Sequence, residues 1–410
     1  MSPASPKARR PVGISGVGVV SPAGVGSELF WTEAVEGRSS IRTDEFGRYV
    51  GRVSADDLSL MSEKVLKSDQ WALVQGRYND LSLSVSHTIS MTAMAEALNQ
   101  AGWSQLNDDD GLILATTTGL VTHWETALAN FSEEKKDYDE ITGRMKYQSL
   151  GCILDHLAIS QDFSGPKLLV TSACAAGTQA LALACEWLQS GKVKRCLVGG
   201  VEVLSQLTLK GFESFQLLSG ELARPFDLHR SGINLSEGAG FLCLELSPKS
   251  KPLAMLCGGG IASDGYHMTA PDPNGLGSAY AMRQAIDRSG ISTNDIDWVH
   301  THGTGSTHND AAEAKAIRAV FGEKDIAVSS SKAIHGHMLA ASGTVESILC
   351  VMSLAKEVML GTLNHITSDP DISLSVNDNT HSDPMNYVLK NTLGFGGSNG
   401  AVVFSKYGAR

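Results

Sequence analysis

Two apolar stretches of the chain begin alike, and each introduces an alternation of strands and helices. Residues 11–20 and residues 252–263 both open on a proline and continue through apolar residues and glycines, as buried strands do. Further along the chain from each of these stretches, a second pattern recurs. Residues 168–172 and residues 327–331 each predict a strand that is followed by a helix-forming segment. Strands that alternate with helices form parallel sheets with helices on both faces. The pattern therefore predicts an α/β fold of two similar halves.

The boundary between the halves is predicted near residue 250, giving an N-terminal half of residues 1–250 and a C-terminal half of residues 251–410. Residues of about 57–165 fit the pattern least, because they contain long polar stretches, and we expect them to form a cap and a dimer contact. Ligands of α/β proteins bind at the carboxyl ends of the strands. The active site is therefore expected between the two halves.

Composition excludes several classes of protein. The formal net charge of −11 argues against nucleic acid as the main partner. The 7 cysteines are odd in number and include no Cys-x-x-Cys pair, so neither a disulfide framework nor a zinc site is expected. No apolar run approaches the roughly 20 residues of a membrane span, and the N-terminus does not resemble a signal peptide. A cytoplasmic protein is expected.

Cys174 lies between a predicted strand at residues 168–170 and a predicted helix at residues 178–188. Such a thiol points at a helix N-terminus, where backbone N–H groups and the positive end of the dipole stabilise a thiolate. Its neighbours are alanines and a glycine, which leave room for a substrate. The position predicts a nucleophile. The alternative is a small apolar residue packed behind a turn.

Two further loops carry histidines after predicted strands. His302 follows the strand at residues 297–300 and precedes a helix expected to begin near Asn309 or Asp310. The second loop contains Lys332 and His337 before another helix. Each histidine alone could be an ordinary hydrogen-bonded loop residue. Together with Cys174, they predict a site that the three strand ends bring together.

The ordered set of these segments resembles the β-ketoacyl-acyl carrier protein synthases of the decarboxylating, elongating type I/II class, which have the thiolase fold. The match covers essentially the whole chain, and its segments are residues 16–26, 30–31, 172–177, 223–232, 237–240, 263–271, the His302 loop, the Lys332/His337 loop and residues 393–399. The resemblance implies two similar halves in a five-layered α-β-α-β-α arrangement. It also implies a 3-oxoacyl-carrier synthase that works as a dimer.

The resemblance assigns chemistry to the predicted nucleophile and histidines. An acyl group would be transferred to Cys174, with backbone N–H groups of Cys174 and Phe395 as the oxyanion hole. A malonyl thioester would then lose carbon dioxide, and neutral His302 and His337 would hold the enolate. The product would be a 3-oxoacyl group extended by two carbons.

Other residues of the two loops receive supporting roles. Lys332 is either catalytic or orders the site, and the resemblance favours a Lys332–Glu313 pair. Thr304 and Thr307 are placed to bind a phosphopantetheine arm, or else they satisfy their own loop backbone. Lys332 and Glu313 are therefore counted with the catalytic residues, and the two threonines with the substrate-binding residues.

Phe395 is expected to be a gate over the acyl pocket, because Gly394 and Gly396 beside it let the backbone move. The alternative is a buried aromatic residue in a tight turn. Gly394 and Gly396 are also expected to contact substrate. No cofactor or metal is expected, since no phosphate-binding glycine motif is present and the phosphopantetheine arrives on the carrier protein.

The expected partner is an acidic acyl carrier protein, so a local basic patch would have to bind it. The candidates are Lys64, Lys67, Lys135, Lys136, Arg144 and Lys146, each of which could instead be an ordinary solvated charge. A short loop between residues 217 and 224 resembles ketosynthases of aryl-polyene and related type II polyketide systems. A homodimer and a heterodimer with a chain-length-factor subunit both remain open.

Two other functions remain open as well. The chain could be an acyltransferase or decarboxylase on the same fold, in which Cys174 is acylated but no condensation follows. It could also be a structural partner subunit with an unreactive cysteine. His302 and His337 count against the second alternative, because a non-catalytic subunit does not need them.

Overall fold

The computed structural model describes residues 10–130 and 138–409. Within them the strands are β1 Val12–Ser21, β2 Gly24–Val25, β3 Arg42–Thr43, β4 Tyr49–Val50, β5 Gly111–Ala115, β6 Lys167–Val170, β7 Arg195–Glu202, β8 Gly238–Glu245, β9 Ala254–Ser263, β10 Trp298–His300, β11 Ala327–Ser329, β12 Val358–Met359, β13 Ser375–Val376, β14 His381–Ser382, β15 Tyr387–Gly394 and β16 Ser398–Ser405.

The helices in the same residues are α1 Ser27–Val35, α2 Ala55–Leu66, α3 Asp69–Arg77, α4 Val85–Ala101, α5 Val121–Asn130, α6 Tyr138–Met145, α7 Gly151–Ser160, α8 Ala176–Gln189, α9 Gln206–Ser214, α10 Leu276–Ser289, α11 Thr307–Phe321, α12 Lys332–His335 and α13 Ser342–Lys356. Short 3₁₀ turns occupy Thr293–Asp295, Leu339–Ala341 and Phe395–Gly397.

One strand order occurs twice in the main sheet. The first set runs β6-β5-β7-β8-β1 and the second runs β11-β10-β15-β16-β9, so corresponding strands occupy corresponding places. The two sets meet where β1 pairs with β9 from Val12 to Ile14. The predicted boundary near residue 250 falls between β8 and β9, and it stays a prediction.

The sheet is mixed, whereas the sequence pattern predicted parallel strands. Strands β5, β6 and β7 are parallel, but β8 runs antiparallel to both β7 and β1. The second set repeats this arrangement around β16. The strands β15 and β16 show why the sheet is not wholly parallel, since only the short turn Phe395–Gly397 connects them. A parallel connection needs a dozen or more residues, so this pair can only be antiparallel.

The helices complete five layers. Helices α8 and α13 lie between the two sets of strands, while α4 covers the first set and α10 covers the second. The two central helices touch through their backbones, since a Cβ atom on Gly343 would lie 2.2 Å from the backbone nitrogen of Thr178. Cys174 lies just before α8, and His337 lies before the 3₁₀ turn that leads into α13, so this contact helps to bring the two residues together.

The stretch Leu339–Lys356, which includes α13, is long and apolar enough to cross a membrane by length and composition, but 89% of it is buried inside the protein. The central layer explains this composition, because α13 packs against both sets of strands. Its apolar character is therefore that of a core helix.

The segment predicted as a cap is partly core. Strand β5 lies inside the main sheet, and α4 packs on β1, β8 and β7. The polar residues 107–110 had suggested a surface segment, but they form only the turn before β5. The dimer contact expected of this segment stays a prediction.

Two buried histidines link α4 to α7. The backbone N–H of Ser84 donates to Nδ1 of His87 (3.3 Å), so Nε2 of His87 carries the proton and donates to Nδ1 of His156 (2.9 Å). Burial lowers the pKa of His156 to about 4, and it holds the pKa of His87 well below its usual value. Both rings are therefore neutral in the folded protein near pH 7.

We expect this pair to make the protein acid-sensitive. An unfolded histidine titrates near about pH 6.5, so the unfolded chain binds these protons first. The free energy of unfolding should be constant above pH 7 and fall as pH drops from 6.5 towards 4, by about 1.4 kcal/mol per pH unit for each histidine. Urea denaturation across this range measures it. In a His156→Gln variant, the free energy of unfolding should depend less steeply on pH, by the contribution of one histidine. An equal pH dependence in the variant and the wild type would contradict a neutral, buried His156.

Candidate active site

Cys174 occupies the turn between β6 and α8, as the sequence predicted. Ala173 has a φ of +48°, a conformation that an alanine adopts at some cost. Hydrogen bonds from the backbone N–H groups of Ala175 and Ala176, to Ser172 and Ala173 respectively, hold the turn. The turn directs Cys174 inward, where only 4% of its surface is exposed.

His337 is in direct contact with the thiol. Its Nε2 lies 3.0 Å from Cys174 Sγ, and its Nδ1 lies 2.9 Å from Ser342 Oγ. Ser342 Oγ also accepts the backbone N–H of Met338 (2.9 Å), and its hydroxyl hydrogen can donate to Nδ1. In this tautomer Nε2 carries the proton and faces the sulfur. Ser342 is thus a positioning residue that the sequence did not reveal.

His302 completes the group from the loop after β10. Its ring centroid is 5.1 Å from that of His337, with the rings nearly perpendicular at 81°. Ligand atoms of Cys174, His302 and His337 all lie within 4.8 Å of one another. Nδ1 of His302 is buried and has no hydrogen-bond partner among the described residues. The predicted convergence of the three residues is present in the structure.

Burial keeps the three groups neutral. It raises the pKa of the Cys174 thiol to about 12, and the nearby Lys332 charge, which acts in the opposite direction, does not compensate. Burial and the same lysine hold the pKa values of His302 and His337 well below their usual range. Burial therefore opposes the thiolate expected from the helix N-terminus. The resting site contains a thiol and two imidazoles that can donate N–H bonds.

The predicted Lys332–Glu313 pair is wrong. Lys332 forms a fully buried ion pair with Glu346 on α13, and Lys390 on β15 lies 2.9 Å from the same carboxylate. Glu313 instead accepts the backbone N–H groups of His302 (2.7 Å) and Gly303 (2.8 Å). Lys332 thus orders the site through α13, and Glu313 orders it through the His302 loop.

A cavity of about 470 Å³ leads to the three residues. Thr304 and Thr307 line it, together with Gly394 and Phe395, whereas Gly396 does not. The Thr304 hydroxyl donates to Ser306 Oγ (3.0 Å), so it also satisfies its own loop. Helix α11 begins at Thr307, slightly before the predicted start at Asn309 or Asp310.

Phe395 stands beside the nucleophile within an aromatic cluster. Its ring stacks on Phe212 at 5.4 Å and meets Phe215 edge-on at 6.3 Å, and all three rings line the cavity. A Cβ atom on Gly394 would lie 3.2 Å from the backbone nitrogen of Cys174, so only glycine lets the two segments approach this closely. Phe212 and Phe215 were missed, because nothing in their local pattern relates them to Phe395.

Three acidic or basic residues around the site were also missed from the sequence. They are Glu346, Lys390 and Glu202, the last of which accepts hydrogen bonds from the loop at residues 116–118 and from Ala340. The first could have been noticed, since Glu346 is the one charged residue between positions 342 and 355. A charge in such a stretch requires a buried partner.

Two of the residues proposed to bind the carrier form ion pairs, and two others lie outside the described residues. Lys67 pairs with Glu63 (2.5 Å) and Lys146 pairs with Asp80, while Lys135 and Lys136 lie outside the described residues. The docking role of all the candidates stays a prediction. The expectation of no metal also stays one, since the Cys174, His302 and His337 ligand atoms are close enough to hold an ion.

The chain is similar to proteins of one family along most of its length. Residues 9–249 match the family described as "Beta-ketoacyl synthase, N-terminal domain", and residues 253–365 match its C-terminal domain. A protein of Vibrio harveyi named 3-oxoacyl-[acyl-carrier-protein] synthase 2 is 29% identical over 97% of this chain and 99% of its own.

Two solved structures have the same fold over nearly their whole length. One is the ishigamide ketosynthase/chain length factor, with a TM-score of 0.85, 27% identity and coverage of 98% of this chain and 100% of that one. The other is a type II polyketide synthase acyl-carrier protein in complex with its ketosynthase bound to the hexaketide. It has a TM-score of 0.83 and 27% identity, and it covers 97% of this chain and 99% of its own.

Proposed function

Because this chain belongs to the β-ketoacyl synthase family and is a condensing enzyme of thiolase fold, we propose that Cys174, His302 and His337 carry out its reaction. That reaction is the decarboxylative condensation of a malonyl-carrier protein with an acyl group held on Cys174. The observation that carries the proposal is the 3.0 Å contact between Cys174 Sγ and His337 Nε2, with neutral His302 in the same cavity.

In the first step, Cys174 takes the acyl group from a carrier thioester. Its sulfur forms a bond to the carbonyl carbon, the bond to the pantetheine sulfur breaks, and the thiol proton passes to the leaving pantetheine thiolate. The transient oxyanion needs two N–H donors, for which the backbones of Cys174 and Phe395 are suited. The close fit of Gly394 against the Cys174 turn supports this pairing.

In the second step, a malonyl thioester occupies the same cavity. Its bond to the carboxylate breaks, carbon dioxide leaves, and the electron pair passes to an enolate oxygen. Neutral His302 and His337 can each donate an N–H to that oxygen. The enolate carbon then forms a bond to the acyl carbonyl carbon, and the bond between that carbon and Cys174 Sγ breaks, which releases the 3-oxoacyl product. The Cys174 thiolate takes up a proton from solvent, which restores the thiol.

Intact-mass spectrometry tests the proposal directly. The protein is incubated with an acyl-carrier and then with malonyl-carrier, beside Cys174→Ala. A mass increase on Cys174, followed by a 3-oxoacyl carrier two carbons longer, is expected only for the protein with the cysteine. Acylation without elongation would instead indicate a non-condensing acyltransferase or decarboxylase, or a ketosynthase that needs a partner subunit. No acylation with any donor would overturn the assignment of the nucleophile.

A second candidate is a specialised type II polyketide or aryl-polyene ketosynthase that is active with a chain-length-factor subunit. The similarity to the ishigamide ketosynthase/chain length factor supports it, and the carrier complex of the second neighbour supports an acyl carrier protein as substrate donor. In this case the purified chain alone would be acylated but would not elongate. Addition of the partner subunit would then restore condensation. In either case we infer a cytoplasmic dimer that needs no further cofactor.

A further inference from the structure

The three reacting residues also form a set of metal ligands. Cys174, His302 and His337 each offer one ligand atom, and these atoms lie within 4.8 Å of one another. In the described part of the chain, no other three His, Cys, Asp or Glu side chains converge in this way. One thiolate and two imidazoles are ligands that Zn²⁺ takes in proteins. Three protein ligands with an open fourth position are typical of zinc sites that small molecules can reach.

The distances need little adjustment to hold an ion. Around a tetrahedral Zn²⁺, a sulfur and a nitrogen ligand lie about 3.5 Å apart. Sγ of Cys174 lies 3.0 Å from Nε2 of His337, so these two atoms would separate by about 0.5 Å. The ligand atom of His302 lies within 4.8 Å of both, so it would approach by no more than about 1.5 Å. Changes in side-chain torsions cover such movements.

His337 is already held in the way that metal-bound histidines are. The ring nitrogen of such a histidine that does not bind the ion almost always has a hydrogen-bond partner. Nδ1 of His337 has this partner in Ser342 Oγ, at 2.9 Å. Metal binding needs the proton on Nδ1, and Ser342 Oγ can accept it as well as the N–H of Met338, because a hydroxyl oxygen has two lone pairs. The ring can therefore change from an N–H donor to a metal ligand without a backbone movement.

The proton of His302 is not fixed by a partner at Nδ1. The residue is only 3% exposed, and its Nδ1 is buried without a hydrogen-bond partner among the described residues. Such an orphaned polar atom is unusual inside a protein. Because nothing at Nδ1 holds the proton or excludes it, the nitrogen that faces the other two ligands can carry the lone pair that an ion needs.

Space and charge determine how firmly an ion would be held. All three ligands line the cavity of about 470 Å³, which leaves room for a water molecule as the fourth ligand. Beside the site, the ammonium groups of Lys332 and Lys390 outnumber the Glu346 carboxylate that they share. This excess of positive charge opposes a dication, and a thiolate offsets it only in part. The site therefore favours reversible binding over a permanently held ion.

We propose that Cys174, His302 and His337 form an inhibitory site that binds one Zn²⁺ reversibly. In the binding step the S–H bond of Cys174 breaks, its proton passes to the solvent, and a bond forms between the sulfur and the ion, with no change of oxidation state. The inhibition rests on the proposed function, since a sulfur that is bound to Zn²⁺ cannot attack a thioester. An acylated Cys174 has no thiolate to offer, so the acyl group and the ion exclude each other.

Cobalt is the probe for the first measurement. Co²⁺ takes the same ligands as Zn²⁺, and its bond to a thiolate absorbs in the near ultraviolet. Metal-free protein titrated with Co²⁺ should develop this absorption up to one ion per chain, and added Zn²⁺ should abolish it. Competition with a chelating dye should give a Kd for Zn²⁺ on the order of a micromolar. Cys174→Ala should lose the absorption, and His302→Ala and His337→Ala should bind Zn²⁺ at least about tenfold more weakly.

Three further variants separate this site from other metal-binding side chains. His308 lines the same cavity but is not one of the three ligands, so His308→Ala should keep the wild-type affinity for Zn²⁺. Cys152 is a half-buried free cysteine outside the site, and Cys152→Ser should keep that affinity as well. Ser342→Ala retains all three ligands but removes the partner of Nδ1 of His337, so it should weaken the affinity by about tenfold.

Acylation connects the ion to the proposed reaction. Zn²⁺ at the concentration that fills half of the sites should halve the rate at which Cys174 is acylated, and a chelator should restore the rate. Protein that has been acylated on Cys174 beforehand should show no absorption with Co²⁺.

Two results would overturn the inference. One is an equal affinity for Zn²⁺ in the wild type and in Cys174→Ala, which would place the ion on surface side chains. The other is a zinc-saturated protein that is acylated as fast as the metal-free protein. Failure of the proposed function is a different outcome, in which no donor acylates the metal-free protein. The absorption with Co²⁺ is measured without any acyl donor, so it reports on the metal site in either case.

Discussion

Replacing His302 with alanine is expected to slow condensation by about 100- to 1000-fold, while Cys174 is still acylated at nearly the wild-type rate. The reason is that His302 donates to the enolate oxygen in the proposed second step but does not touch the sulfur. His337 contacts the sulfur at 3.0 Å, so His337→Ala should slow both steps. These two variants therefore distinguish the roles of His302 and His337, although the two rings are in contact.

The loop should survive the loss of the His302 ring. Glu313 holds it through the backbone N–H groups of His302 and Gly303, which alanine retains. Acylation and release of carbon dioxide from malonyl-carrier measure the two steps separately. His308 lines the same cavity but lies outside the reacting group, so His308→Ala serves as the matched control and should change the condensation rate little. Equal losses in acylation and condensation in His302→Ala would contradict the assigned role.

The three reacting residues could be predicted from the sequence because each follows a strand and precedes a helix. Cys174 follows β6, His302 follows β10, and His337 follows β11 and the short helix α12. The carboxyl ends of these strands lie at one edge of an α/β core, where their loops meet. Gly343 and Gly177 then allow the central helices to touch. Local patterns were sufficient for this part of the site, since the fold itself supplies the convergence.

The partners of these residues could not be predicted in the same way. Lys332 was assigned to Glu313, an acid of the neighbouring loop, but its partner Glu346 lies on the buried helix α13. The pKa of Cys174 depends on how leucines from distant segments pack around it, and no local pattern reports that packing. The antiparallel strands were missed because the strand–helix alternation does not extend to the short turn between β15 and β16.

Replacing Glu346 with glutamine is expected to be the most destabilising change at the site, with a loss of about 3–5 kcal/mol in the free energy of unfolding. Although burial alone would raise it, the Lys332 and Lys390 charges hold the pKa of Glu346 below its usual range, so this carboxylate is ionised in the folded protein. Glutamine would leave two ammonium groups buried without a counter-charge. Urea denaturation measures the loss, and Glu357→Gln is the matched control at the exposed end of the same helix, where about 0–1 kcal/mol is expected.

The Glu346→Gln variant should also condense more slowly than the wild type. The reason is that the buried charges of Lys332, Glu346 and Lys390 support the loops that carry His302 and His337. Lys332 lies on α12 just before His337, and Lys390 Nζ donates to the backbone oxygen of Thr301 (3.2 Å), next to His302. A triple variant with Lys332→Met, Glu346→Leu and Lys390→Met removes all the charges, so it should recover much of the stability. It should not recover the full rate, since the hydrogen bond to Thr301 is lost. A Glu346→Gln protein as stable as wild type would show that the buried charges are compensated in another way.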